Sequence, residues 1–235
     1  CRKNTDLEIY VLWSGEKNDY YDWMEDKVKL VDISDFPIHK AVMEVPVPEV
    51  WNQGMQNIGM GAWGRVDLPS VFEKLDISDE YALYTDIDVL FTEKWNPQFN
   101  PIPTLGLCYE SRSKTDYNTG VMIVNCEYLK STFPEFKKYI LGKGIANFQV
   151  WDQSAINEFY GSEIQRLNQS IWNWTPYHRT TGEDARIIHF HGPKINYLKD
   201  RIEKGILEPL HHEVYGTLFD RAPEKYKEAF EQLKT

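Results

Sequence analysis

The stretch YALYTDIDVLF, residues 81–91, decides the fold. Its apolar and aromatic run has the length of a buried strand. Yet Asp86 and Asp88 stand near its far end. On a strand, residues i and i+2 point to the same side, so the two carboxylates would stand side by side. Such a pair repels itself and is costly to desolvate unless a cation lies between its members. A hard divalent ion held there would also bind phosphate oxygens. In open α/β sheets, ligands bind at the carboxyl ends of strands, where this pair falls. A D-x-D triplet is common by chance. The setting singles this one out, because it ends an apolar run and Val89, Leu90 and Phe91 follow it.

Working outward, LEIYVLWSG (7–15) and KVKLVDIS (27–34) read as strands, the first buried and ending in a glycine turn. The Pro- and Gly-rich tract 36–64 reads mostly as loop. RVDLPSVFEKL (65–75) predicts a short helix, with Asp67 and Pro69 near its start. The D-x-D strand is expected over Tyr81–Val89, followed by strands in TLGLCYES (104–111) and TGVMIVNC (119–126). EYLKSTFPEFKKYILG (127–142) is helical in pattern, with a break expected before Pro134. DQSAINEFYG (152–161) predicts a helix with Asp152 as its N-cap and Gly161 as its stop. RIIHFHG (186–192) reads as a short strand and EKYKEAFEQLK (224–234) as a terminal amphipathic helix. Strands alternating with helices make this an α/β fold, and 235 residues suit one domain.

Three further segments carry chemistry. In IIHFHGPK (187–194) the alternation places His189 and His191 on one face, suited to a metal or a phosphate. Lys194 follows a Gly-Pro turn and could neutralise a phosphate. Ordinary buried or surface histidines remain the alternative. In YNTGVMIVN, Gly120 would let a ligand approach the backbone, and the Asn118 carboxamide suits a sugar hydroxyl. Taken alone, an ordinary Asn-Gly-type turn is the better explanation of both. Asp152-Gln153 is either a structural helix start or part of a site.

Composition narrows the classes. The net charge of −10 argues against nonspecific nucleic-acid binding and is compatible with recruitment of a divalent cation. Aromatic content of 14% fits sugar-stacking surfaces and ordinary cores alike. The three cysteines fit no zinc spacing, and Cys108 and Cys126 lie in apolar runs as expected buried thiols. No apolar run is long enough for a transmembrane helix and no signal peptide is visible, so a cytoplasmic location is favoured. The sequons at Asn168 and Asn173 matter only in a secretory lumen.

Taken together, LYTDIDVLF, YNTGVMIVN, WDQSAIN and IIHFHGPK resemble, in order and rough spacing, the GT-A fold glycosyltransferases of family 8, the glycogenin and lipopolysaccharide galactosyltransferase type. The resemblance spans roughly 65–194. It implies one GT-A-like, Rossmann-like domain over 1–235 with a central, mostly parallel sheet. It implies transfer of a hexose from a nucleotide-sugar donor, most simply a UDP-sugar, to a carbohydrate or other hydroxyl acceptor, with Mn2+ or Mg2+ as cofactor and with retention. Asp86, Asp88 and His189 match the family's metal ligands. Asn118 and Gly120 match its donor-sugar segment, and Arg65 a basic residue near the donor nucleotide. Asp152 and Gln153 match residues beneath the anomeric carbon, and Lys194 a phosphate-binding lysine. The last segment departs from the family, with one residue fewer between Gly192 and Lys194 and no Pro-Trp, which leaves His191 open to share the ligand role. Family members also open with a strand and helix for the base, which would lie upstream of Cys1. Trp172, Trp174 and Tyr177 are candidate stacking faces for the acceptor. The rivals are an inactive sugar-binding module and a D-x-D phosphatase, the latter disfavoured by Leu90 where its motif has Thr or Val.

Overall fold

The computed structural model describes residues 6–45, 59, 61–92, 100–110, 113–175 and 184–189. Strands β1 (Tyr10–Trp13) and β2 (Lys29–Asp32) pair in parallel. A parallel pair needs a crossover, and α1 (Asp19–Glu25) provides it. Next come α2 (Pro37–Met43), a 3-10 turn (Gly64–Asp67) and α3 (Leu68–Lys74). Pro37 and Pro69 sit in first turns, where a missing N–H costs little. Asp67 does not cap its own helix. Its carboxylate accepts from the N–H groups of Ile38 and His39 at 3.2 and 2.7 Å, and so caps α2 from a distance. Burial pushes its carboxyl up to about 6, against those two hydrogen bonds.

The central sheet has the order β3 (Tyr81–Thr85), β6 (Tyr117–Asn125), β5 (Leu105–Tyr109), β7 (Ile164–Arg166). β6 runs antiparallel to both neighbours, and only β5 and β7 pair in parallel. The fold is α/β as expected, but the sheet is mixed rather than mostly parallel. The short connection 110–116 accounts for the β5–β6 pairing, since it can return the chain only antiparallel. The expected strand Tyr81–Val89 is also two strands. β3 ends at Thr85, a turn follows, and β4 (Val89–Phe91) leaves to pair antiparallel with β8 (Ile187–His189). Asp86 and Asp88 therefore flank a turn whose tip, Ile87, is 96% exposed. Aspartates suit such turns because their side chains bond to nearby backbone.

Two helices cover one face of the sheet. Leu129, Phe136 and Ile140 of α4 (Cys126–Lys143) and Ala155, Ile156 and Tyr160 of α5 (Trp151–Tyr160) pack on Leu105, Leu107, Met122 and Val124. Cys108 and Ile123 point the other way, as the two-residue strand period requires. Burying each large aliphatic side chain contributes about 1.5–3 kcal/mol. Asn125 caps α4 by accepting from Tyr128 N at 2.9 Å. α4 runs unbroken through Pro134, because its packed face outweighs the hydrogen bond that proline removes. α5 starts one residue before Asp152, so Asp152 lies inside the first turn and is not the cap. Gly161 ends α5 with φ −50, and not in a left-handed conformation. Asn168 caps the short α6 (Gln169–Trp172). Cys108 and Cys126 are free and buried, as expected. Among the described residues no helix is long and apolar enough to cross a membrane. His191, Lys194, Tyr177 and the expected terminal helix lie outside the described residues.

Candidate metal and donor site

The site is built on a defect in β6. Leu107 of β5 pairs with Met122, but Cys108 pairs with Asn118, so Thr119, Gly120 and Val121 have no partner on β5. Such bulges re-aim strands and recur beside active sites. On its other edge the bulge stays attached to β3: Asp86 N donates to Gly120 O at 2.8 Å. This bond fixes Asp86 just past the end of β3. The chain then turns through Ile87 and Asp88, and the β4–β8 ladder sets Val89 opposite His189. Trp174, 1% exposed, pins β8 by donating to Ile187 O and accepting from His189 N at 3.1 and 2.8 Å. Trp174 is thus a buried clamp, and no stacking face for an acceptor.

These constraints bring three ligand atoms together. His189 Nε2 lies 3.4 Å from Asp88 Oδ1 and 3.8 Å from Asp86 Oδ2. One atom from each residue falls within 4.8 Å of the others. Ligands sharing one hard cation stand at most about 4–5 Å apart, twice the metal–ligand distance. Two carboxylates and an imidazole also form a donor set for a divalent ion. Gly120 makes room for the cluster. A Cβ there would come within 2.2 Å of His189 Cε1 and 2.9 Å of Asp86 Oδ2. Both the spacing and the donor chemistry fit a divalent metal.

Beneath the cluster lies Arg65, 8% exposed. Its Nη2 pairs with Asp86 Oδ1 at 2.9 Å and its Nε with Asp152 Oδ2 at 3.0 Å. Its Nη1 donates to Thr119 Oγ1 at 2.9 Å, and that hydroxyl donates to Asp152 Oδ2 at 3.1 Å. Tyr84 donates to Asp86 Oδ1 at 3.0 Å, and its ring centroid lies 5.1 Å from the guanidinium carbon. Asp86 is therefore divided: Oδ1 is held by Arg65 and Tyr84, and Oδ2 faces His189. Burial opposes the Arg65 cation, but the Asp152 and Asp86 carboxylates outweigh it and hold its pKa above the ordinary value. Burial pushes Asp152 up to about 6, with Arg65 pulling the other way.

Gln153 Oε1 lies 3.4 Å from Thr119 N and 3.5 Å from Asn118 Nδ2. Arg65, Asp86, Asp88, Asn118, Gly120, Asp152, Gln153 and His189 thus converge on one bulge. Sequence reasoning missed Tyr84, Thr119, Glu110 and Asn173. Tyr84 shares the strand period of Asp86, a signal that was present. Asn173 stood out only as a sequon; it is 1% exposed, so the folded chain cannot present it for glycosylation.

No family model and no curated protein matches the chain. Among solved structures, the galactosyltransferase LgtC in complex with donor and acceptor sugar analogs superposes with TM-score 0.60 at 16% identity, over 97% of this chain and 91% of that one. An active-site variant of LgtC with glutamine replaced by glutamate gives 0.58 at 14%, over 90% of each chain. A glycosyltransferase involved in glycosylation of the major capsid of PBCV-1 gives 0.51 at 13%, over 84% of this chain and all of that one. At these identities the likeness shows the fold, which is GT-A.

Proposed function

We propose that this chain is a metal-dependent glycosyltransferase that moves a hexose from a nucleotide diphosphate sugar, most simply a UDP-sugar, to a hydroxyl acceptor with retention. One observation carries the reading: Asp86, Asp88 and His189 meet over Gly120, on a fold shared with solved glycosyltransferases. The three side chains would hold Mn2+ or Mg2+. When bound, that ion neutralises the diphosphate leaving group. Arg65 and Tyr84 occupy one oxygen of Asp86 and leave the other for the ligand role. Asn118 and Gly120 flank the donor sugar, and Lys194, which lies outside the described residues, is assigned to its phosphate on the sequence resemblance alone.

Gln153 is a poor nucleophile, but its amide oxygen stabilises a developing oxocarbenium-like carbon. That an active-site variant of LgtC alters a glutamine supports this assignment. With Gln153 in this place, the departing diphosphate takes the acceptor proton on the same face, which gives retention. Asp152, engaged with Arg65 and Thr119, acts as a positioning residue for the bulge.

The test is a panel of nucleotide-sugars incubated with Mn2+, with released nucleotide measured. One donor should turn over, and Asp88→Ala should abolish the metal-dependent release while remaining folded. Full turnover in excess chelator contradicts the metal role. NMR of the first-formed product should show the donor's anomeric configuration, and an inverted centre refutes retention. Hydrolysis of an aryl phosphate with no nucleotide-sugar turnover would instead mark a phosphatase.

A further inference from the structure

A histidine offers a cation only the ring nitrogen that carries no proton, and its two neutral tautomers differ in which nitrogen that is. His189 Nε2 faces Asp86 and Asp88, while Nδ1 lies 3.0 Å from Asn173 Oδ1. The tautomer therefore depends on which end of the Asn173 amide faces the ring. With the amide nitrogen toward the ring, Nδ1 would accept and Nε2 would carry its proton into the cation site.

The surrounding network settles the orientation. The Gly120 N–H can only donate, and it lies 3.0 Å from Asn118 Oδ1. Asn118 Nδ2 in turn faces a Glu110 carboxylate oxygen, an acceptor, at 2.9 Å. Asn118 is thus fixed at both ends. Its oxygen also receives Asn173 Nδ2 at 2.9 Å. That contact turns Asn173 Oδ1 toward the imidazole. Nδ1 must then donate, and the Nε2 lone pair faces the carboxylates. Asn118, Asn173 and His189 are 5%, 1% and 1% exposed, so bulk water does not compete with these bonds. Metal-bound histidines commonly donate their second N–H in this way, which fixes the ring and raises its basicity.

We propose that Asn173 and Asn118, anchored by Glu110 and the Gly120 N–H, are positioning residues that lock His189 with its proton on Nδ1 and so preset Nε2 as a ligand. The proposal rests on the metal-site reading, but its first test needs no metal. In the metal-free protein, two-bond 1H–15N correlation spectra of the neutral His189 ring should show the proton on Nδ1. Asn173→Ala should mix the tautomers and weaken Mn2+ binding, followed by electron paramagnetic resonance titration, by about 10–100-fold. Asn173→Asp keeps an acceptor for Nδ1 and should restore both the tautomer and most of the affinity. A wild-type ring protonated on Nε2 overturns the proposal. So does a folded Asn173→Ala protein with unchanged tautomer and affinity, or an Asn173→Asp protein that loses the Nδ1 proton. If Asn173→Ala does not fold, the wild-type and Asn173→Asp spectra decide. A wild-type protein with the Nδ1 proton that binds no Mn2+ would refute the metal reading and leave the tautomer lock standing.

Discussion

Replacing Gly120 with alanine adds one methyl group at the most crowded point of the site. The new Cβ would sit 2.2 Å from His189 Cε1, where ordinary contact begins at 3.4 Å. The ring or the strand must therefore shift by about 1.2 Å, the difference between those two distances. The imidazole has little freedom to do so. Its Nδ1 is tied to Asn173, its backbone N–H to Trp174, and the residue is 1% exposed. Metal coordination tolerates about 0.2 Å, so the shift exceeds that tolerance several times over. Overpacking of this kind costs about 1–3 kcal/mol, which is about 2–12 °C in Tm for a domain of this size. The assay is a double-mutant cycle of Gly120→Ala and His189→Ala, read by thermal unfolding and Mn2+ titration. Gly120→Ala should weaken Mn2+ by at least about tenfold, the lower end for disturbing a ligand's supporting shell. Its stability cost should largely vanish in the His189→Ala background, a coupling of about 1–2 kcal/mol. A folded Gly120→Ala protein with wild-type Mn2+ affinity refutes the reasoning. So does a stability cost that is the same in both backgrounds.

The other predictions concern charge and turnover. Arg65→Met leaves Asp86 and Asp152 facing one another without their cation, and should cost about 3–5 kcal/mol in urea unfolding. The loss should be smaller at pH 5 than at pH 8, because a protonated Asp152 needs no partner. Asp67 has its pKa raised from 3.8 to about 6, so folding takes up a proton between those values. Its contribution to stability is therefore full below pH 3.8 and is lost as pH rises through about 6. Relative to Asp67→Asn, the wild type should lose up to about 3 kcal/mol between pH 4 and 7, and a flat difference would discard the assignment. Gln153→Ala should lower turnover by about ten- to a thousandfold with little change in donor affinity, as expected for a group that acts in the transition state. A variant that loses only donor affinity would reassign Gln153 to ground-state binding.

The centre of the site was legible because charge inside an apolar run is costly and so needs a reason. Asp86 and Asp88 stood out on that ground; His189 stood out by its alternation with His191 and by the family resemblance, and the three meet. What lay hidden depends on partners distant in sequence. The run 81–91 reads as one strand because the apolar residues on both sides outweigh the turn signal of its two aspartates; pairing with β8 draws Val89–Phe91 out of the central sheet. Asp152 carries the local signature of a helix cap, and its true partners, Arg65 and Thr119, come from other elements. Asn173 and Trp174 sit in an aromatic loop that suggests sugar stacking, yet both are buried because β8 needs a clamp. Strand direction was partly in reach: the short connection between the strands read at 104–111 and 119–126 already calls for antiparallel pairing of β5 and β6, whereas nothing local announces that β3 pairs antiparallel with β6.

The β4–β8 ladder has a consequence for motion. It joins segments about a hundred residues apart through pairs formed by Val89–Phe91 and Ile187–His189, and stands outside the central four-stranded sheet. Local opening favours segments with few buried contacts, and this ladder is the opposite. Phe91 and Ile187 pack with Val121 of β6, and Ile187, Ile188 and His189 are at most 1% exposed. His189 is therefore seated in the same frame that holds Asp86 through Gly120. A cation that arrives or departs meets a third ligand already in place, and only the exposed turn at Ile87 is left outside that frame.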